Sequence, residues 1–167
     1  MSIPHADSPL LGGAGNIDRF ITSAAAITFV LATADLVFAC TYWHQLYAVP
    51  PSRLLQNIAA GLLGKRAFMG GMQTAQLGIL LQYAMVSVMV GAYYAMSAWF
   101  NLLRQRPWLC GLLYGVVLYV VMNHIVLPLS AAPKSPFVPS WIVSSIAVHL
   151  VFGVAIAQGA RWSARKP

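Results

Sequence analysis

Asp35 stands inside ITSAAAITFVLATADLVFACTYW, a run otherwise long and apolar enough to cross a bilayer. A carboxylate at mid-membrane depth costs about 2.5–3.5 kcal/mol on insertion scales, so such a residue has a partner or a task. The other acidic residues, Asp7 and Asp18, fall in the polar segment before this run. Later apolar runs carry groups that could answer Asp35: Gln82 and Tyr83, Asn123 and His124, and His149. An aspartate and a histidine brought together between membrane helices can hold a proton or a small cation, because both change charge near neutral pH once desolvation and pairing act on them.

Two further chemistries use the same residues. His124, His149 and Asp35 have the ligand types of a two-histidine, one-carboxylate metal site. His124 with His149 could instead hold a b-type haem from two sides. No HxxxH or CxxC spacing supports a metal, and the two histidines lie on adjacent runs joined by a short loop, so no cofactor is expected. His5 belongs to the N-terminal arm and His44 to an interface, so neither is an expected ligand. A phosphate loop, a nucleophile elbow and a carboxylate pair are all missing, which points away from an enzyme.

The elements that must position these residues follow from composition. Hydrophobic residues make up 59% of the chain and charged residues 8%, against about 25% charged in a soluble domain. Four apolar runs, 20–43, 75–100, 108–129 and 141–160, each supply the ~20 residues that span a hydrocarbon core. Trp43, Trp99, Trp108, Trp141 and Trp162 fall at their ends, in the interfacial belt. The expected fold is an all-α, polytopic membrane protein: an arm at 1–19, one four-helix transmembrane domain at 20–160, and a basic tail at 161–167.

In the first loop, SRLLQNIAAGLLG places Leu54, Leu55, Ile58 and Leu62 on one side and Arg53, Gln56 and Asn57 largely opposite. It predicts a short interfacial helix over about 52–63, with Ser52 as N-cap and Gly64 as stop. Arg19, Arg104, Arg106, Arg161, Arg165 and Lys166 lie on the side of the termini, and Arg53, Lys65, Arg66 and Lys134 on the other. The pair in the short second loop favours cytoplasmic termini. The net charge of +7 flanks the spans rather than forming the dense stripe a phosphate backbone needs, so nucleic acid is not an expected partner. Cys40 and Cys110 fall near opposite membrane faces, too far apart for a disulfide. Val37-Phe38-Ala39-Cys40 resembles a lipoprotein cleavage box, but its run is too long and holds Asp35, so the span is expected to be retained.

Small residues at helical spacing predict the packing faces. They are Ala25, Thr28, Ala32, Asp35 and Ala39; Tyr83, Ser87, Gly91 and Ala95, with Gln82 beside them; Gly111, Gly115, Tyr119 and Asn123; and Ser145, His149, Gly153 and Ala157. At a rise of 1.5 Å per residue, Asp35 lies about 12 Å in from Trp43, and His149 about 12 Å in from Trp141. One polar layer is therefore expected, of Asp35, Gln82, Tyr83, Asn123 and His149 with His124 at its flank, and Asp35 is expected to pair with His149. Such a layer serves either as structural glue or as a binding site.

VPPSRLLQNIAAGLLGKRAFMGG and GLLYGVVLYVVMNHIVLPLSAAP resemble blocks of a group of small, uncharacterised bacterial inner-membrane proteins. The second block and SWIVSSIAVHL are also distantly similar to the YagU-type inner-membrane proteins. The resemblance implies a bacterial inner-membrane location and no reaction, ligand or residue role. The leading expectation is a non-enzymatic accessory or structural component of the lipid bilayer, in contact with copies of itself or with other membrane subunits. A small carrier or channel that binds a proton, cation or solute around Asp35 and His149 is the alternative, and a membrane haem or metal protein the third.

Overall fold

The computed structural model describes residues 11–133 and 137–164, and in them the chain is all-α. Expectations about His5, Asp7, Lys134, Arg165 and Lys166 concern residues outside that range. Helix α1 (Leu11–Tyr47) is followed by α2 (Pro51–Leu63) and a 3-10 turn, Gly64–Met69. Next come α3 (Gly71–Trp99), the short α4 (Asn101–Gln105), α5 (Pro107–Leu129) and α6 (Pro139–Ser163). The four long helices α1, α3, α5 and α6 are apolar and long enough to cross a membrane. Cys40 and Cys110 are free.

Pro51, Pro107 and Pro139 each open a helix in its first turn, where a missing N–H is no loss. Pro50, rather than Ser52, occupies the N-cap of α2, and no side chain caps it. Gly64 ends α2 with φ +58°, a backbone conformation that side-chain-bearing residues resist. Within α5, Val121–Val126 widens into a π-helix, and the Leu127 N–H reaches back to the Met122 carbonyl. Pro128 explains this: in a regular α-helix its ring would crowd the His124 carbonyl, and the wider turn makes room.

The seam between α5 and α6 is the tightest. A Cβ on Gly111 would lie 2.8 Å from the Gly153 carbonyl oxygen, and one on Gly115 would lie 2.5 Å from that of His149. Backbone thus meets backbone, and the predicted faces of the third and fourth spans are the observed ones. On α3 the predicted face is one residue out of register. Ser87, Gly91 and Ala95 are exposed, while Gly78, Gln82, Val86, Val90 and Tyr94 are buried. One residue is a rotation of about 100°, and the seam with α1 is wide enough to be filled by valine and tyrosine rather than small residues. On α1, Ala25 is likewise exposed, Ala32 is buried as expected, and Ser23 and Leu31 are buried beside it.

Helix α2 is a wedge between α3 and the turn that follows α5. Its Leu55 carbonyl lies against Gly78, where a Cβ has no room, and the Ala131 N–H donates to the Gly61 carbonyl at 2.9 Å. Its buried residues are Gln56, Ala59 and Ala60, whereas Leu62 is 65% exposed. This corrects the predicted polarity, in which Leu62 was shielded and Gln56 exposed. Ala59 and Ala60 pack with Ala67, Phe68 and Leu77, the Gln56 amide donates to the Gly71 carbonyl at 2.9 Å, and a leucine facing acyl chains loses nothing.

Single cysteines in a background lacking Cys40 and Cys110 test the wedge. A membrane-impermeant thiol reagent is expected to label positions 53, 65 and 66 and to spare 56, 59 and 60. Labelling of position 56 as fast as position 53 would restore the surface-lying helix.

Candidate functional site

Asp35 is aimed inward because it extends the stripe of Ser23, Ile27 and Leu31, spaced four residues apart along α1, and Leu31 is only 5% exposed. Gln82 sits on the buried stripe of α3 between Gly78 and Val86. The two stripes bring the side chains together, and Gln82 Nε2 donates to Asp35 Oδ2 at 2.6 Å. His149 lies close enough to act on the carboxylate electrostatically, but its own hydrogen bond goes elsewhere. Its Nδ1 is 2.7 Å from the Ser145 carbonyl oxygen. A carbonyl only accepts, so Nδ1 carries the hydrogen and Nε2 is the ring's other nitrogen. The hydrogen-bond partner of Asp35 is thus Gln82 and not the expected His149: similar depth in the membrane does not decide which way round the helix a side chain points.

The remaining predicted members are placed apart from that bond. Tyr83 turns to the outer side of the α1–α3 seam, where its hydroxyl meets Thr33 Oγ1 at 2.6 Å, and Thr33 in turn donates to the Phe29 carbonyl at 2.7 Å. Asn123 donates to the Tyr119 carbonyl of its own helix at 3.0 Å, so it makes no bridge across the bundle. His124 is exposed. Both histidines pack edge-on against Tyr119, His149 at 5.7 Å and His124 at 6.2 Å between ring centres. Among the described residues, no three histidine, cysteine or acidic side chains converge as a metal-binding group.

Toward the end that bears the termini the layer stops. Val90, Tyr93, Tyr94 and Ile156 are almost fully buried there. The Tyr94 hydroxyl meets Ser23 Oγ at 2.8 Å, and Tyr93 donates to the Leu103 carbonyl at 3.2 Å. Sequence reasoning missed Ser23, Thr33 and Tyr94. The signal for Ser23 was its four-residue spacing to Ile27, Leu31 and Asp35.

The chain matches no family model, no curated protein and no solved structure. Function must then be read from the bundle's own geometry. The second feature of that geometry is a groove of about 510 Å³ on the outside of the α1–α3 seam. Ala25 and Thr28 line one wall, and Tyr83, Ser87 and Gly91 the other, with Phe20 and Phe29 at its margins. Ala25, Ser87 and Gly91 are small residues that the sequence assigned to internal packing. In the folded chain they face outward, and a Cβ on Gly91 would meet nothing within 4 Å.

Proposed function

We propose that this chain is a non-enzymatic accessory component of a bacterial inner membrane, with both termini cytoplasmic, which associates laterally with a transmembrane helix of another subunit. The observation that carries the reading is the groove between α1 and α3. Small residues let helix backbones approach, and α5 and α6 use theirs in that way. The small residues of α1 and α3 instead frame an open, mainly apolar cleft of helix-packing character on the bilayer-facing surface. In this reading the Asp35–Gln82 bond is internal glue that fixes the register of the two helices forming the groove.

A photoreactive residue placed at Ser87 or Gly91 in living cells tests the assignment. It is expected to yield a discrete protein adduct, whereas the same residue at Val117, exposed on α5, yields lipid adducts. Lipid adducts at all three positions would overturn it.

A carrier or channel is the second reading, supported by the buried Asp35–Gln82 bond with His149 beside it. In a single copy the layer ends on Tyr93 and Tyr94, so transport would require a larger assembly or a rearrangement of that core.

A further inference from the structure

The turn after α2 combines two kinds of exposed side chain that are seldom placed together without a reason. Leu62 is 65% exposed, Leu63 40%, Met69 87% and Met72 69%. Between them in the chain stand Lys65 and Arg66, both exposed. Arg53 differs, since its guanidinium lies 3.9 Å from the centre of the Phe68 ring. The acids among the described residues lie elsewhere: Asp18 is near the opposite end of α1, and Asp35 is inside the bundle. Lys65 and Arg66 therefore present positive charge with no exposed carboxylate of the described residues on their side of the bundle.

The turn is also held rigidly. Ala67 is completely buried, and Thr74 Oγ1 donates to its carbonyl at 2.6 Å. The Gln56 amide ties the start of α3 to α2, and Ala131 ties α2 to the end of α5. By connectivity the turn sits at a membrane boundary, because it leads directly into the span that starts at Gly71. A fixed platform at that level, with apolar side chains on either side of two cations, matches a lipid in both its parts. The leucines and methionines suit acyl chains, and the long stems of Lys65 and Arg66 let their charges reach phosphate at the polar boundary.

We propose that the turn Gly64–Met69, with Leu62, Leu63 and Met72, is a docking surface for the headgroups of anionic phospholipids in the surrounding bilayer. Lys65 and Arg66 pair with the phosphate-bearing headgroup, and the exposed apolar side chains anchor the lipid's acyl chains beside α2.

The test uses the full chain in detergent with an equimolar mixture of phosphatidylglycerol and phosphatidylcholine, and native mass spectrometry counts the lipids retained. Wild type is expected to retain phosphatidylglycerol in preference. Lys65→Gln/Arg66→Gln is expected to reduce that preference about thirtyfold, from the attraction of two interfacial cations. Arg104→Gln/Arg106→Gln, which removes equal charge from the opposite end, is expected to leave it unchanged. An unaltered preference in the first pair overturns the assignment and leaves its cations to an acidic protein segment. Equal loss in both pairs also overturns it, because net charge alone would then explain retention. If the first double variant unfolds more readily in phosphatidylcholine alone, Lys65→Gln is measured by the same criteria.

Discussion

Gly153→Ala is expected to destabilise the bundle by about 3 kcal/mol, the upper part of the range for overpacking a filled interior. The new methyl group would run into the Gly111 carbonyl and the Gly115 amide and would lie 2.8 Å from the Gly115 Cα. These are backbone atoms, so no rotamer change relieves the contact, and α5 and α6 must separate along their whole seam. Gly91→Ala is the matched control. Its methyl group meets nothing within 4 Å, and alanine favours the helix by up to ~1 kcal/mol over glycine. Unfolding of both variants in the same detergent, followed by circular dichroism, checks the contrast. Equal midpoints would mean that the α5–α6 seam is looser than backbone contact.

The second large effect is expected at Gln82. Gln82→Leu removes the donor to Asp35 Oδ2 and leaves a carboxylate inside an apolar seam, at a cost of about 3 kcal/mol. Asp35→Leu/Gln82→Leu is expected to recover most of that loss, because no stranded charge remains. His149→Ala is expected to couple more weakly to Asp35→Leu, since the imidazole acts on the carboxylate through space and is itself bonded to Ser145. Double-mutant cycles on unfolding free energy measure both couplings. A coupling of Asp35 to His149 larger than that to Gln82 would restore the pairing expected from sequence.

The four spans were legible because length and hydropathy are one-dimensional signals, and tryptophans mark their ends. The α5–α6 seam was legible as well: glycines four residues apart on facing helices suit backbone contact. The α3 register was not. Ser87 and Gly91 carry the same small-residue signal as a packing face, while Val86 and Val90 on the neighbouring stripe look like lipid-facing residues. Size alone does not tell a close seam from a wide one filled by Tyr94. Similar depth grouped Gln82, Tyr83 and Asn123 with Asp35, but depth does not give direction: Gln82 bonds Asp35, while Tyr83 bonds Thr33 and Asn123 bonds its own helix. Helix α2 was found within a residue of its observed limits. Its buried side was misjudged because Ala59 and Ala60 pack with Ala67, Phe68 and Leu77, whatever the hydropathy of the competing leucines.

The wedge also has a place in time. Gly61 belongs to the first loop of the chain, yet its carbonyl takes a hydrogen bond from Ala131, beyond the end of the third span. A ribosome delivers the chain from its N-terminus, so α2 and α3 reach the membrane while that partner does not yet exist. Until Ala131 has been made, the Gly61 carbonyl has to be satisfied by water, by a lipid headgroup or by the insertion machinery. A nascent chain arrested before that point would carry an unlatched α2, whatever the state of the two spans already inserted.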